Sequence, residues 1–296
     1  GGIVSSVSRD ETNEGWNWII LRTGQGKIRV AATEHDYPYG RLRELIDAYV
    51  FLHGCITPFV SWRKFLGQHL VLFGKDGIVQ TEQPPAPFDV PDLRSEYFHH
   101  RQKIRGRIVG HGPHALFIYD DSGHFFQVTP LESENLPDIG DYVTVSGFAE
   151  LGPMGLQLTG AIIRRESLPS APPISPLSPN PDMMFNSANG QAVVDSELYG
   201  KIIRLRGRIA SSRESVETEG KFQLTCGQHM IAVEVDHLKD ILQENIVRDC
   251  IVDVTGVCIG KFSSDVIHAD FPKFEGFLLV PRFANDITII KGPPWW

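Results

Sequence analysis

The chain has 296 residues, of which 42% are hydrophobic and 22% charged, and its formal net charge is −8. This length suits two or three domains of about 100 residues each, and the composition argues against a globally disordered chain. An acidic chain repels phosphate backbones unless its basic residues are clustered, so the net charge weighs against a nucleic-acid partner.

The sequence carries no recognisable signal peptide and no apolar stretch long enough for a transmembrane helix. Its four cysteines form no CxxC pair, which argues against a zinc ribbon or a thioredoxin-type site. Cys250 and Cys258 are too far apart in one predicted strand for a disulfide. A bridge from Cys226 to either of them stays open, and buried free thiols, with Cys55 as the fourth, are the simpler expectation. Because the chain begins at Gly1 without a methionine, we expect it to be part of a longer protein.

Two proline-rich connectors divide the chain into three blocks of similar size. Proline has no N–H to donate to a sheet, so these stretches are predicted to be extended linkers. The predicted organisation is a first barrel at 1–82, a linker at 83–95, a second barrel at 96–167, a linker at 168–197, a third barrel at 198–292 and a terminal junction at 293–296.

The blocks share a glycine-marked strand. Residues 49–54, 142–147 and 251–256 are YVFLHG, YVTVSG and IVDVTG, which end at Gly54, Gly147 and Gly256. Aliphatic or β-branched residues at alternate positions predict a strand, and a glycine at its end is typical of a bend at a barrel corner. The matching opening strands of blocks two and three, at 104–109 and 205–210, each contain a further glycine.

The predicted elements follow one order in every block: an opening strand, a hairpin, a short helical connector, the glycine-marked strand and a closing strand. The predicted hairpins pair 16–22 with 27–31, 115–119 with 124–128, and 222–226 with 230–235. The predicted helical connectors are 42–46, 131–136 and 238–244, and the predicted closing strands are 70–73, 156–163 and 286–290.

This order is that of the OB-fold, a five-stranded Greek-key barrel. We therefore predict an all-β chain of three tandem OB-like five-stranded Greek-key barrels with short helical connectors. Three small β-sandwiches would show the same strand pattern and are the rival interpretation. An OB barrel binds ligands on the face of its second and third strands and in the loops after its first and fourth strands.

Aromatic residues on these elements are the candidate ligand contacts. Trp16 and Trp18 share one face of a predicted second strand, where they form either a stacking platform or a cover for the barrel. In the other two blocks the candidates are Phe117, Tyr119 and Phe126 on the hairpin of block two, and Phe271 in the long insertion at 260–276 of block three. The competing interpretation is that these side chains pack against their own barrels or between barrels.

We find no sequence motif for catalysis, for a metal site or for a cofactor. The sequence lacks a GxSxG elbow, an HExxH motif, a P-loop and a GxGxxG turn after a strand. The predicted chain is therefore not an enzyme in itself, binds no cofactor and has no catalytic or metal-ligating residues. Arginines at alternate positions of two opening strands, Arg105 with Arg107 and Arg206 with Arg208, could follow a phosphate backbone or simply be solvated.

The chain ends in a predicted strand followed by Pro293, Pro294, Trp295 and Trp296. This ending, with the tandem barrel-like repeats, resembles the extracytoplasmic sensor region of bacterial membrane-bound, often hybrid, two-component sensor histidine kinases, just before their transmembrane helix. Tryptophan favours the membrane–water interface, which agrees with such a pre-membrane junction.

The resemblance implies an extracytoplasmic sensing module of a histidine kinase, in the periplasmic part of an inner-membrane protein. Its partners would be an unknown small molecule or a periplasmic protein, the membrane through a helix beyond Trp296, and a second copy in a receptor homodimer. The kinase chemistry would belong to cytoplasmic domains outside this chain. Two alternatives stay open: a soluble cytoplasmic OB-fold array that binds single-stranded nucleic acid, and a rigid spacer or dimerisation stalk.

Overall fold

A computed structural model describes residues 1–61, 64–89, 99–112, 115–132, 135–152, 155–168, 174–188, 191–194, 196–210, 216, 218–238, 247–262 and 274–293. The chain divides into two compact units. The first unit comprises Gly1–Ile104, Ser146–Ala149 and Leu158–Ile162, and the second unit comprises Arg105–Val145, Glu150–Gln157 and Ile163–Trp296. The described part of the chain is almost entirely β, and its strands form three large sheets and one small hairpin.

The first sheet has seven strands. They are β1 (Gly2–Arg9), β2 (Trp16–Thr23), β3 (Gly26–Thr33), β4 (Tyr49–Leu52), β5 (Gly54–Ser61), β6 (Lys64–Leu72) and β7 (Ile78–Glu82). Their order is β5-β6-β3-β2-β1-β4-β7. β4 and β5 together form the fourth strand of an OB barrel, in which β1 pairs with β4 and the third strand, β3, runs parallel to the fifth, β6. The predicted hairpin of β2 and β3 is confirmed.

The second sheet has six strands. They are β8 (Phe88–Asp89), β9 (Arg101–His111), β10 (Leu116–Asp120), β11 (Phe125–Pro130), β12 (Tyr142–Gly152) and β13 (Gly155–Arg165). The order β10-β11-β13-β12-β9 closes on itself through the pairing of β9 with β10, so five strands form a closed barrel in the OB order. The small hairpin that follows pairs β14 (Phe185–Ala188) with β15 (Gln191–Val194).

The third sheet also closes. Its strands are β16 (Ile202–Ile209), β17 (Lys221–Cys226), β18 (His229–Glu234), β19 (Ile251–Phe262), β20 (Phe274–Val280) and β21 (Ile287–Lys291). β16 pairs with both β17 and β19, and β18 runs parallel to β20. The fold prediction of three OB-like barrels is confirmed by these strand orders.

One strand assignment from the sequence is wrong. The closing strand predicted at 286–290 of block three is β21, which adds to the outer edge of β19 as an extra strand. The fifth strand of this barrel is β20, which pairs with β19 on one side and β18 on the other. The error arose because the short apolar stretch of β20 directly follows the long insertion and lacks a turn signal of its own.

Helices are short. α1 (Tyr39–Glu44) is close to the helical connector predicted in block one, and α2 (Pro181–Met184) is a single turn in the second linker. The 3₁₀ turns are Ser196–Leu198, Asp236–Leu238 and Ala284–Asp286. The connector predicted at 131–136 contains no helical turn in its described residues, and most of the one predicted at 238–244 lies outside them.

Glycine allows strands to approach closely where a barrel closes. A Cβ atom on Gly106 of β9 would lie 2.0 Å from the carbonyl oxygen of Tyr119 in β10. A Cβ atom on Gly256 of β19 would lie 2.6 Å from the carbonyl oxygen of Val280 in β20. Real Cβ atoms do not tolerate such distances, so any other residue would push the strands apart.

The cores follow the two-residue alternation of the strands. In the first barrel, buried residues such as Val4, Ile19, Val30 and Val50 point inward, and Phe148 of β12 joins the same cluster. The third barrel has a separate core, which contains the buried thiols of Cys226, Cys250 and Cys258 among aliphatic side chains. All four cysteines are free, and Cys55 is exposed.

The part of the chain that the structure describes contains no helix long and apolar enough to cross a membrane. The same residues contain no group of three metal-ligating side chains.

Candidate ligand-binding face of the first barrel

The outer face of the first barrel carries the two tryptophans predicted from the sequence. In β2, Asn17, Ile19 and Leu21 are buried, while Trp16 and Trp18 alternate with them and are partly exposed. Successive side chains of a strand point to opposite faces, so both tryptophans lie on the outside. The second and third strands carry the ligand face of an OB barrel, and β2 is the second strand here.

Trp18 is the centre of a small cluster that spans three neighbouring strands. The guanidinium carbon of Arg29 on β3 lies 3.9 Å from the centroid of the indole ring, which is a cation–π contact. The ring of His69 on β6 meets the indole edge to face, with centroids 5.4 Å apart. The indole Nε1–H donates a hydrogen bond of 2.9 Å to Asp10 Oδ2. We call Asp10, Trp18, Arg29 and His69 the Trp18 cluster.

Strand register explains why these residues meet. Arg29 lies opposite Ile20 in the β2–β3 hairpin, so it is the diagonal neighbour of Trp18 on the outer face. Leu70 of β6 lies beside Val30 of β3 and points into the core, which turns His69 outward. The closed barrel therefore brings residues from distant parts of the sequence to one face.

Asp10 is fixed by the turn between β1 and β2. Its Oδ1 accepts hydrogen bonds from the hydroxyl and the N–H of Thr12, at 2.6 and 2.8 Å, and from the N–H of Asn13 at 3.2 Å. The bonds from Thr12, the side-chain one first, lower the pKa of Asp10 below its ordinary value. Asp10 is therefore ionised at neutral pH and holds the indole ring of Trp18 in one orientation.

His69 is a neutral member of the cluster. Burial is the first cause that lowers its pKa, and the nearby charge of Arg29 lowers it further. Its Nε2 lies 3.0 Å from the hydroxyl of Thr57 on β5, which fixes the ring. The exposed cation beside Trp18 is therefore Arg29 and not a protonated histidine.

The inner side of β2 is anchored near the same end of the barrel. The buried side-chain amide of Asn17 donates to the carbonyl oxygen of Tyr37, at 3.0 Å, and to the carboxylate of Glu34. The same carboxylate accepts the N–H of Tyr39, at 3.1 Å. These bonds tie β2 to the segment that leads into α1, so Trp16 and Trp18 extend from a fixed strand.

In the second barrel, two of the predicted ligand contacts are corrected by the structure. Phe117 is 1% exposed and Phe126 is 5% exposed, so neither ring offers a face to a ligand. Phe117 packs with Ile202, Val257 and Val280 of the third barrel, because that barrel covers the face on which a ligand was expected.

Tyr119 belongs to the same contact within the second unit. Its hydroxyl donates a hydrogen bond of 2.5 Å to the carbonyl oxygen of Gly200, and burial raises its pKa to about 12. Tyr119 also packs edge to face against Phe125, which in turn contacts Tyr199. The hydroxyl of Tyr119 therefore bonds within the protein and is not free to donate to a ligand.

Of the remaining predicted site residues, only Pro293 belongs to the described part of the chain. Phe271, Pro294, Trp295 and Trp296 lie outside the described residues, and Pro293 is exposed. The proposed pre-membrane junction stays a prediction.

No known protein-family model matches the chain, and no curated protein matches it. Several solved structures are similar to it. The tetrameric HIN2 domain of p202 is 11% identical over 56% of this chain and 88% of that chain, with a TM-score of 0.25. The HINa domain of Ifi202, in complex with 20 bp double-stranded DNA, is 15% identical over 56% of this chain and 94% of that chain, with a TM-score of 0.22. CSD456 of Drosophila Unr is 13% identical over 98% of this chain and 96% of that chain, with a TM-score of 0.20.

The DNA complexes correct one expectation from the sequence. The HINa domain of Ifi202 and a murine DNA-binding protein are both bound to double-stranded DNA in these structures. The prediction that nucleic acid is an unlikely partner is therefore wrong. It rested on a net charge summed over the whole chain, whereas contact with a phosphate backbone depends on the charges of one face.

Proposed function

We propose that the chain is a nucleic-acid-binding array of OB-like barrels that holds a single strand on the outer face of its first barrel. The observation that carries the proposal is the contact of Arg29 with the ring of Trp18, on the second and third strands of that barrel. The guanidinium lies over the indole ring, and such an arginine–aromatic stack can hold single-stranded nucleic acid, because a base stacks on the pair and the positive charge attracts the backbone.

The cluster is prepared for this role before a ligand arrives. The only polar donor of the indole is bonded to Asp10, and His69 packs against the ring edge, so Trp18 does not need to be ordered on binding. A preorganised ring loses less conformational entropy when a base stacks on it. Arg29 and Lys27, two residues apart on β3, are both exposed and share the outer face, where they can meet phosphates.

Stacking favours single strands over duplexes. The bases of a duplex already stack on each other, and only an unpaired base presents its face to an indole or a guanidinium. Phosphate contacts from few cations give a modest dependence on salt. We therefore expect binding that prefers an unpaired strand and weakens as salt rises.

The test is a fluorescence anisotropy titration with a labelled 20-nucleotide single strand and the corresponding duplex, at low and at physiological salt. Trp18→Ala and Arg29→Gln should each weaken single-strand binding about tenfold, the size of one lost base stack. Arg208→Gln, which removes an exposed arginine from β16 of the third barrel, is the matched control and should leave the affinity unchanged.

Two results would overturn the proposal. One is no binding of the single strand at low salt. The other is equal binding of strand and duplex that Trp18→Ala does not weaken, since this would be non-specific attraction to phosphates. The thermal unfolding midpoint of each variant shows whether its barrel is intact.

A second candidate function is the sensing module of a membrane-bound histidine kinase. It is favoured by the sequence Pro-Pro-Trp-Trp at 293–296 and by the tandem barrels. In that case the chain detects a small molecule or a partner protein and is not itself an enzyme. The full-length sequence tests this: an apolar helix directly after Trp296, followed by kinase domains, would support it, and a soluble domain at that position would contradict it.

A further inference from the structure

The second unit contains a cavity of about 360 Å³ where three parts of the chain meet. Tyr119 of the second barrel forms one side, Ile174 and Leu177 of the second linker form another, and Lys201 and Ile202 at the start of the third barrel complete it. Ligand cavities in proteins span about 300 to 1,000 Å³, so this cavity has room for a small molecule.

The linker is held in place by backbone pairing. The N–H of Leu177 donates to the carbonyl oxygen of Ile202 at 2.9 Å, and the N–H of Arg204 donates to the carbonyl oxygen of Leu177 at 2.7 Å. Leu177 therefore forms a short parallel bridge with Ile203 of β16. This pairing uses the backbone and leaves the side chain of Leu177 at the cavity.

The wall of the cavity is mostly apolar and uncovered. Leu177 is 51% exposed and Ile174 is 36% exposed, which is unusual for two large apolar side chains so close together. The hydroxyl of Tyr119 is already bonded to the carbonyl oxygen of Gly200, so its ring is the surface that faces a ligand. Apolar surface of this kind is stabilised when an apolar group covers it.

The charge at the cavity is positive. Lys201 is exposed, and among the residues that the structure describes it has no ion-pair partner and no carboxylate lines the cavity. The two acidic residues that follow Tyr119 are engaged elsewhere: Asp120 bonds with Ser122 and His124, and Asp121 accepts a hydrogen bond from the hydroxyl of Tyr142. A ligand anion would therefore meet an uncompensated cation.

We infer that this cavity binds a small amphiphilic anion, which has a short aliphatic or aromatic body and one carboxylate or sulfonate group. The body lies against Ile174, Leu177 and the ring of Tyr119, and the anionic group pairs with Lys201. The inference does not depend on the proposed function, because the cavity belongs to the second unit and the Trp18 cluster to the first.

The probe is anilinonaphthalene sulfonate, whose fluorescence rises in an apolar site. The wild-type chain should bind it saturably at one site, and octanoate should displace it while octyltrimethylammonium should not. Leu177→Asp and Lys201→Glu should each weaken the probe's binding about tenfold. Leu177→Asp keeps the backbone N–H that pairs with β16.

The matched control is Ile289→Asp on β21, which removes an apolar side chain of similar exposure, 44%, outside the cavity. It should leave the probe's binding unchanged, and all three variants should keep the wild-type affinity for the oligonucleotide. The inference fails if the cavity variants bind the probe like the wild type, if Ile289→Asp weakens binding as much as they do, or if the cationic surfactant competes as well as octanoate. If Leu177→Asp fails to fold, the effect of the surface substitution Lys201→Glu on probe binding tests the inference by itself.

Discussion

At the scale of single residues, the closure of the barrels depends on glycine. A methyl group on Gly106 would overlap the carbonyl oxygen of Tyr119, which is backbone and cannot rotate away. Gly106→Ala should therefore lower the free energy of unfolding by about 1–3 kcal/mol, as expected for an overpacked core. Urea denaturation measures the loss.

Gly24 is the control for this prediction. It lies in the β2–β3 turn, and a Cβ atom there would meet nothing within 4 Å. Gly24→Ala should change stability by only a few tenths of a kcal/mol, about the size of a surface substitution. Equal losses of unfolding free energy in the two variants would contradict the prediction, because the close approach of the strands at Gly106 would then not be the cause of the destabilisation.

A second residue-scale prediction concerns the pH dependence of Asp253. Arg206 donates two hydrogen bonds to its carboxylate, at 2.7 and 2.8 Å, and these, with the charge of Arg206, lower the pKa of Asp253. Because the folded pKa is below the unfolded one, this pair stabilises the fold above about pH 4 and the effect is lost as the pH falls through the folded pKa. Arg206→Gln should raise the midpoint of the Asp253 carboxyl titration, followed by carbon NMR.

Arg208→Gln serves as the reference for that titration. Arg208 shares the exposed face of β16 but forms no bond with Asp253 among the described contacts. The midpoint in this variant should match the wild type. If the midpoint stays low in Arg206→Gln, a group other than Arg206 lowers the pKa of Asp253.

At the scale of elements, the second linker acts as a short strand on β16. A proline at position 177 would remove the N–H that bonds to Ile202, at a cost of about 1 kcal/mol to that docking. Leu177→Pro should therefore increase the rate of proteolytic cleavage within 168–182, as mapped by mass spectrometry. Leu168→Pro, at an exposed position of the same linker, should not.

Strands and hairpins could be predicted from the sequence because their signals are local. Alternation and turn residues mark β10 and β11 around Asp120 and Gly123, and the structure confirms that hairpin. The fifth strand of the third barrel could not be predicted in the same way. β20 is defined by its parallel pairing with β18, a contact between segments about 45 residues apart that leaves no local pattern.

The candidate site was only half predictable for the same reason. The alternation of β2 places Trp16 and Trp18 on one face, and the hairpin turn at 23–26 could have placed Arg29 beside them. His69 reaches Trp18 only because the barrel closes. Phe117 could not be recognised as buried, since the residues that cover it come from the third barrel.

At the scale of the whole molecule, one aromatic side chain joins two parts of the sequence into the first compact unit. Phe148 belongs to β12, yet it is 1% exposed within the core cluster of the first barrel, and the guanidinium groups of Arg22 and Arg101 both lie over its ring. Arg22 also donates a hydrogen bond of 2.6 Å to the carbonyl oxygen of the next residue, Ala149. The first barrel is therefore completed by residues far along the chain.

Phe148→Ala should destabilise this unit by about 3–5 kcal/mol, the usual cost of removing a buried phenylalanine. Urea denaturation followed by tryptophan fluorescence reports on it, because Trp16 and Trp18 belong to the same unit. Phe148→Leu should cost less, since it keeps most of the buried volume. If the alanine variant unfolds like the wild type, residues 146–149 are not needed for the first barrel.

The extra strand β21 also has a mechanical consequence. Among the described strands it pairs with β19 alone, at the outer edge of a barrel that is already closed by β16 and β20. A pull on the chain beyond Lys291 would load the pair of Lys291 with Ile251 first and then separate the following pairs one at a time. We therefore expect β21 to detach under force before any of the five barrel strands separate.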